Sequence, residues 1–158
     1  VSTDALELDW GGPVGDRHHG ETMASDTRQS SVFPRGTEIR NHRQLSLVDL
    51  AELAQIADAL GIPRIEPGTI AENITTEGIA ALTSLPRMTR LVFPSGAVIM
   101  LGGANAPCTI AGGMVAREYG SRPEAFPKAA IGRRGVTGWV ERPGTVRPGD
   151  EIAIVLPE

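Results

Sequence analysis

The stretch Thr89-Arg-Leu-Val-Phe-Pro-Ser-Gly-Ala-Val-Ile-Met-Leu101 decides the fold class. Two apolar runs, 89–93 and 97–101, flank Pro94-Ser95-Gly96, a three-residue connection typical of a β-hairpin. Turn residues recur along the whole chain, which has 19 glycines and 12 prolines but only 3 Phe, 2 Trp and 1 Tyr. That composition favours many short strands over long helices. The sequence therefore predicts a β-rich α+β protein, barrel-like, with one main covering helix.

Further strands are predicted on both sides of the hairpin, at residues 6–8, 43–48, 138–141, 145–147 and 151–156. A short extended piece is expected at 72–76, after the turn at Pro67-Gly68. Residues 21–42 are polar and show no usable period. They predict a long loop, less ordered than its surroundings, that lies beside a site and closes over it.

One helix is predicted over residues 49–60. Asp49 is a good N-cap, and Glu52 three residues later completes the pattern of a capping box. Gly61 ends the helix and Pro63 prevents its continuation. An apolar stripe is expected to cover a sheet, opposite a polar face of Glu52, Gln55 and Asp58. The members of the stripe are Leu50, Leu53, Ala54, Ala57 and Leu60.

Length and charge limit the classes of partner. A chain of 158 residues fits a single domain, 1–158. The net charge is −4 and the basic residues are scattered, so no nucleic-acid partner is indicated. No apolar run approaches the roughly 20 residues of a membrane span, so no membrane partner is indicated. A small-molecule ligand or substrate is expected. One cysteine without a partner agrees with a reducing compartment, which predicts a cytoplasmic protein.

Cys108 is the only cysteine and lies in Gly102-Gly-Ala-Asn-Ala-Pro-Cys-Thr109, directly after the hairpin. The paired glycines are expected to end the strand and to let the backbone approach a ligand. Pro107 fixes the φ angle of the residue before the thiol. Two interpretations follow. The thiol is either a small core residue, as free cysteines often are, or a nucleophile or metal ligand.

Three polar segments are candidates for the rest of a site, each with a structural alternative. Asp16 and His18, in Gly15-Asp-Arg-His-His-Gly20, could bind an anion, place a metal ligand or carry a proton. The same segment could be a turn in which Asp16 bonds to the backbone and the adjacent histidines face different ways. Asn73 and Thr75 fall on one face of the extended piece, where they either contact a ligand or satisfy backbone groups.

The third segment is Arg133-Arg134-Gly135, preceded by Lys128. It could hold a phosphate or carboxylate, but an isolated basic pair is more typical of a solvated surface turn. A zinc hydrolase using Asp16, His18, His42 and Cys108 is not favoured, because the sequence has no ligand pair at standard zinc spacing. The chain also lacks the G-x-S-x-G elbow, the phosphate-binding loop and the dinucleotide motif.

The ordered set of motifs resembles the MOSC domain, the C-terminal module of molybdenum cofactor sulfurases, which also occurs as small standalone bacterial proteins. The resemblance spans essentially the whole chain, and the ordered set is more specific than any one motif. The matching motifs are Gly15-Asp16-x-His18-x-Gly20, Arg43-Gln44-Leu-Ser, Pro67-Gly68-x-x-x-Glu72-Asn73-Ile-Thr75, a hairpin, Pro107-Cys108, Arg134-Gly135-Val136-x-Gly138 and Gly149-Asp150-x-Ile152.

The resemblance implies a mixed β-barrel that binds the molybdenum cofactor (molybdopterin); pyridoxal phosphate is not expected in this chain. The matching cysteine of relatives is the sulfur ligand to molybdenum, so Cys108 would be both metal ligand and catalytic thiol, a role that suits a soft donor. The cofactor pocket would be lined or braced by Asp16, Arg43, Asn73 and Thr75. Relatives reduce N-hydroxylated compounds or hand on a sulfurated cofactor, which implies an electron-transfer or sulfur-donor protein as partner.

Two other functions stay open. Relatives of the reductase type carry basic residues shortly after the cysteine, whereas Thr109-Ile-Ala-Gly-Gly113 follows here. A molybdenum-independent enzyme that cleaves or transfers carbon–sulfur bonds would use Cys108 as nucleophile or base and His18 as proton carrier. A non-catalytic carrier would instead protect a sulfurated cofactor or a persulfide in transit.

Overall fold

The computed structural model describes residues 4–158. Short strands dominate the described part of the chain: β1 Leu6–Asp9, β2 Gly12–Pro13, β3 Thr22–Ala24, β4 Glu38–Arg40, β5 Leu45–Asp49, β6 Ile74–Thr76, β7 Arg90–Val92, β8 Val98–Ala104, β9 Val136–Arg142, β10 Gly144–Val146 and β11 Ala153–Val155. The α-helices are α1 Leu50–Leu60, α2 Thr109–Tyr119 and α3 Phe126–Ala130. Single 3-10 turns lie at Thr27–Gln29, Leu82–Ser84 and Pro123–Ala125.

The largest sheet has six strands in the order β11-β7-β8-β9-β5-β6. All neighbours in it are antiparallel except β5 and β6, which run parallel, so the sheet is mixed. One face packs against the three-stranded sheet β10-β1-β2 through a core that includes Leu8, Leu47 and Val146. The other face packs against the three helices through Val48, Ile56 and Val115 among others. The predicted β-rich, barrel-like fold class is confirmed.

The hairpin on which the fold prediction rests forms as β7 and β8, closed by a hydrogen bond from Phe93 N–H to Ala97 O at 2.9 Å. The prediction that the paired glycines end the second strand is wrong. Strand β8 continues through them to Ala104, pairing with β9 across a bulge between Leu101 and Gly103. Gly103 has φ +105°, so the bulge occurs where glycine tolerates it.

Helix α1 forms where the sequence predicts it. The side chain of Asp49 accepts a hydrogen bond from Ala51 N–H at 3.0 Å, and Gly61 closes the helix with φ +70°. Its buried face differs from the predicted stripe. Glu52 lies inside, at 4% exposure, beside Leu53, Ile56 and Ala57.

Glu52 turns inward because it has a buried backbone partner there. Its Oε1 accepts a hydrogen bond from Thr83 N–H at 2.9 Å, so Glu52 does not complete the predicted capping box and does not belong to a polar outer face. Leu50 and Ala54, both placed in the apolar stripe by spacing alone, are exposed. A buried carboxylate with a backbone partner thus shifts the packed face of the helix around its axis.

Replacing Leu53 by alanine is expected to destabilise the protein by about 2–5 kcal/mol, because Leu53 is 1% exposed and its removal leaves a cavity. Leu50→Ala is the matched control, since Leu50 is 38% exposed on the same helix. Urea unfolding monitored by circular dichroism measures both. Equal losses of unfolding free energy in the two variants would contradict the observed orientation of α1.

Residues 21–42 do not form the predicted long loop. Strands β3 and β4 pair antiparallel, from Thr22 opposite Arg40 to Ala24 opposite Glu38, and so make a two-stranded ribbon. A 3-10 turn with a full capping box, Asp26 with Gln29, begins the connection. The strands are too short, and their pattern too polar, for a periodicity to reveal them.

Helix α2 is the main element that sequence reasoning missed, since one main helix was expected. Its interior contains Gly112 and Gly113, which individually disfavour a helix. Gly112 is required by packing: a Cβ atom there would lie 2.2 Å from Pro123 O and 2.8 Å from Phe126 Cβ. Tertiary contact with the segment leading into α3 therefore overrides a poor local propensity and fixes the helix that follows Cys108.

Candidate functional site

Cys108 is exposed and occupies the N-cap position of α2. Its side chain forms no capping hydrogen bond, although its carbonyl accepts from Gly112 N–H at 3.2 Å. The interpretation of Cys108 as a core residue is therefore wrong. The thiol makes no capping bond and is open to solvent at the N-terminal end of an 11-residue helix.

Arg134 lies inside the protein, at 8% exposure, directly before β9. Its Nη2 donates to Ile70 O at 3.3 Å, whereas its Nη1 is buried and has no hydrogen-bond partner. Burial lowers the pKa of Arg134, and the nearby charges of Glu72 and Cys108 act in the opposite direction. The Arg134 guanidinium stays protonated, as arginine does in proteins, and Cys108 lies within electrostatic range of its charge.

The carboxylate of Glu72 is the second group with an unused buried atom. Its Oε1 accepts from Gly68 N–H at 2.5 Å and from Thr75 Oγ1 at 3.1 Å. Its Oε2 is buried and has no partner. Buried polar atoms are nearly always paired, so the unpaired atoms of Glu72 and Arg134 mark a place where a ligand or water completes the hydrogen bonding.

Arg43 approaches the same region from just before β5. Its Nη2 donates to Asn105 Oδ1 at 3.2 Å, and Asn105 is three residues before Cys108. Burial, followed by the positive charge of Arg28, lowers the pKa of Arg43; the carboxylate of Asp26 opposes this shift, and Arg134 adds to it. Arg43 and Arg134 thus repel each other, and a bound anion would relieve that repulsion.

The Gly-Asp-x-His segment forms the turn that the sequence allowed. Asp16 Oδ1 accepts from His18 N–H at 2.8 Å and lies 3.2 Å from His18 Nδ1. Asp16 Oδ2 accepts from Asn73 Nδ2 at 2.9 Å. Partial burial raises the pKa of Asp16, but the hydrogen bonds from His18 and Asn73 outweigh it, and the pKa falls below its ordinary value of 3.8. The carboxylate is ionised throughout the neutral range.

The two adjacent histidines face different partners, as the turn interpretation predicts. His18 contacts Asp16 and is largely exposed, whereas His19 Nε2 contacts Asp9 Oδ1. An imidazole held by an ionised carboxylate and open to solvent is suited to moving a proton. Within residues 4–158 no hydrogen bond or ion pair joins His18 to Cys108.

Asn73 and Thr75 brace other residues. Asn73 Oδ1 accepts from Ser46 N–H at 2.9 Å, and its amide nitrogen holds Asp16, so both ends of the side chain are in use. Thr75 donates to Glu72. The structure thus links Asp16, His18 and Asn73 in one group, and Thr75 with Glu72 in a second.

A metal site made only of protein side chains is not formed in the described residues: between residues 4 and 158 no three His, Cys, Asp or Glu side chains cluster closely enough to hold an ion. His42, a member of the disfavoured zinc set, hydrogen-bonds weakly to Arg40 O at 3.4 Å. The residues of the disfavoured zinc set therefore do not form a cluster within the described part of the chain.

Sequence reasoning assigned no site role to Glu72 or Asn105, and for Arg134 it favoured a surface turn over the phosphate or carboxylate site that it also considered. The expectation that Arg133-Arg134 is a solvated surface turn is wrong for Arg134, which is buried. The sequence did contain a signal for this burial. A glycine directly before a strand, as Gly135 is, can mark a place where two backbone segments approach each other closely. Its φ is +89°, and a Cβ atom there would lie 1.9 Å from Leu47 O. That approach draws the preceding arginine inside.

The described structure is a small β-rich domain built on a mixed barrel-like sheet, with an exposed cysteine at the start of α2, a buried arginine before β9 and a partly buried arginine before β5. The sequence model of the MOSC domain matches residues 15–153, and the chain belongs to the MOSC domain family. Of the helices between residues 4 and 158, none has the length and apolar character needed to cross a membrane.

The chain is similar to YuaD of Bacillus subtilis (strain 168), described as a putative metal-sulfur cluster biosynthesis protein. The two are 42% identical over 154 residues, which cover 96% of this chain and 80% of YuaD. The crystal structure of YuaD superposes with a TM-score of 0.90 at 41% identity, covering 96% of this chain and 85% of that chain. The crystal structure of YiiM from Escherichia coli has a TM-score of 0.65 at 16% identity, covering 100% of this chain and 66% of YiiM, and supports the fold alone.

Proposed function

We propose that this MOSC domain binds the molybdenum cofactor and uses Cys108 as the thiol that meets the metal, in reductase or sulfur-transfer chemistry. The observation that carries the proposal is the exposed Cys108 thiol within electrostatic range of Arg134, whose buried Nη1 has no hydrogen-bond partner among residues 4–158. The relative YuaD, whose name refers to metal-sulfur cluster biosynthesis, supports a role in sulfur or metal-sulfur chemistry.

The residues present fit such a ligand. The cofactor carries a phosphate, which Arg43 and Arg134 would hold, since a guanidinium is well suited to phosphate oxygens. The unpaired Oε2 of Glu72 would accept an N–H group of the ligand. When bound, the cofactor supplies a redox-active metal centre and sulfur ligands of its own. Cys108 would supply a soft sulfur donor, which the metal itself would deprotonate on binding.

His18 supplies the proton-carrying group of the site. Asp16 is ionised at neutral pH and orients the imidazole through Nδ1, while Asn73 fixes Asp16 to the sheet. An imidazole fixed in this way presents Nε2 outward, where it can give or take a proton from a bound molecule. The proposal thus assigns the contact with the metal to Cys108 and the proton transfer to His18.

A sulfur carrier is the second candidate function, and the exposure of Cys108 favours it. A thiol open to solvent can attack the outer sulfur of a donor protein's persulfide, which gives a Cys108 persulfide and releases the donor's thiol. An acceptor thiol can then take that sulfur in the same way, which regenerates the Cys108 thiol. In that case the arginines would attract an anionic partner group, and the chain would not turn over a substrate. Carbon–sulfur bond cleavage by Cys108 remains the other alternative, with His18 as proton carrier.

One expression experiment separates these functions. The protein is purified from a host that makes the cofactor and from a matched host that does not, and is analysed for molybdenum and for oxidised-pterin fluorescence. Molybdenum and pterin in equal amounts, present only from the first host, are expected. Absence of both would contradict the proposal. A persulfide on Cys108 would then favour the carrier, and thiol-dependent turnover of a sulfur compound would favour the carbon–sulfur enzyme.

A further inference from the structure

Thr83 lies outside the site, yet its side chain is bonded to the backbone that carries the site. Its Oγ1 accepts a hydrogen bond from Gly135 N–H at 2.9 Å, and its own N–H donates to Glu52 Oε1 at 2.9 Å. Thr83 and Glu52 are both buried, at 5% and 4% exposure. Helix α1 is thereby connected to the residue that directly follows Arg134.

The hydrogen bonding continues from Gly135 to the other side of the site. Gly135 O accepts from Asn105 N–H at 2.8 Å, and Asn105 Oδ1 accepts from Arg43 Nη2 at 3.2 Å. One line of bonds therefore runs from Glu52 through Thr83, Gly135 and Asn105 to Arg43. It passes next to Arg134 in sequence and three residues before Cys108.

The middle of this line is packed against β5 on one side and held by Thr83 on the other. Gly135 lies so close to β5 that a Cβ atom there would be 1.9 Å from Leu47 O, and the Thr83 hydroxyl is the acceptor that holds its N–H in that position. The 3-10 turn that carries Thr83 is entered through Ala81 in the left-handed conformation, at φ +54°. The protein thus keeps a sparsely populated backbone conformation next to Thr83.

We infer that Thr83 is a positioning residue, which sets the mutual placement of Arg43, Arg134 and the Cys108 loop by holding Gly135 and through it Asn105. The inference rests on the proposed function only in treating the two arginines as an anion site. Removing the Thr83 hydroxyl leaves Gly135 N–H buried without an acceptor, and the backbone must shift to pair it. Loss of such a supporting partner lowers ligand affinity by about 10- to 100-fold in well-studied metal sites.

Thr76 offers a matched control. It is 4% exposed, and its Oγ1 donates to Asp49 Oδ2 at 2.7 Å, so it also bonds to a buried carboxylate at the N-terminal end of α1. Its hydroxyl has no bond to the backbone of residues 105 or 134–135. Thr76→Val therefore removes a buried hydroxyl of the same kind but none of the hydrogen bonds in the line from Glu52 to Arg43.

The test is the affinity of the purified chain for inorganic phosphate by calorimetric titration, with hydrogen exchange of the Gly135 and Asn105 amides by NMR. Thr83→Val is expected to weaken phosphate binding about tenfold and to speed exchange of both amides. Thr83→Ser keeps a hydroxyl at this position and should show the phosphate affinity and amide exchange rates of the wild type. Thr76→Val should also leave both quantities unchanged. Thr83→Ala removes the same oxygen and serves if the valine variant does not fold.

The inference is overturned if Thr83→Val binds phosphate as the wild type does, if Thr76→Val weakens binding equally, or if serine fails to restore it. If the wild type does not bind phosphate, the anion site of the proposed function is contradicted. The amide exchange and the NMR signal of the Arg43 guanidinium then decide the positioning role. Unchanged signals for Arg43 and Asn105 in Thr83→Val, as in Thr76→Val, would overturn it.

Discussion

Cys108→Ser is expected to keep or raise the free energy of unfolding and, on the proposed function, to abolish the molybdenum and pterin content expected of the wild type. Serine is a preferred N-cap residue, and the Cys108 side chain makes no capping bond to α2. A capping hydroxyl there should add up to about 1 kcal/mol of stability. The same hydroxyl is a poor soft donor and is scarcely ionised at neutral pH, so it cannot replace a thiolate at a metal.

The opposite signs of these two effects make the prediction specific. Urea unfolding and metal analysis on one preparation of each variant measure them, and Cys108→Ala is the control that lacks both thiol and hydroxyl. Alanine should also lose the metal, without the gain in stability. Full molybdenum content in the serine variant would remove Cys108 from the site and leave the arginines as its remaining groups.

Arg134→Gln is expected to weaken binding of the anionic ligand by about 10- to 100-fold, which corresponds to the roughly 1.5–3 kcal/mol of a hydrogen bond to a charged group. Its effect on the unfolding free energy should be small. The wild-type guanidinium is buried with one bond to Ile70 O and an unpaired Nη1, so its removal also relieves a desolvation penalty. A residue that matters more for binding than for stability is typical of functional sites.

Arg133→Gln is the matched control for this prediction. Arg133 is the adjacent arginine, and its Nη1 makes a long bond of 3.4 Å to Ala129 O, away from the unpaired atoms. In calorimetric titration, the Arg133→Gln variant should bind inorganic phosphate as tightly as the wild type does. If the two variants lose affinity equally, the effect is one of net charge, and the assignment of Arg134 to the site is contradicted.

The fold follows from sequence to the extent that local patterns agree with tertiary packing. The hairpin of β7 and β8 and helix α1 carry clear turn, cap and periodicity signals, and both form as predicted. Helix α2 has no such signal, because Gly112 is selected by its contact with Pro123 and not by helix propensity. The ribbon β3-β4 is likewise set by pairing and by the capping box of Asp26.

The site follows from sequence less completely, because burial is not visible in composition. Cys108, Asp16 and His18 are recognised as chemistry-bearing types in glycine-rich surroundings, whereas Arg134 has the sequence context of an exposed basic pair. Its burial depends on Gly135 packing against Leu47, a contact between residues far apart in the chain. Glu52 is missed for the same reason, since its partner Thr83 belongs to a separate turn.

The central claim, that Cys108 is the thiol that contacts the bound cofactor, is tested most directly by alkylation. Because Cys108 is the only cysteine, the intact mass after iodoacetamide treatment reports on this thiol alone. Protein loaded with molybdenum and pterin is predicted to resist alkylation, and the same protein stripped of the cofactor is predicted to be alkylated completely. Equal alkylation rates in the two forms, with molybdenum retained after the reaction, would contradict the account.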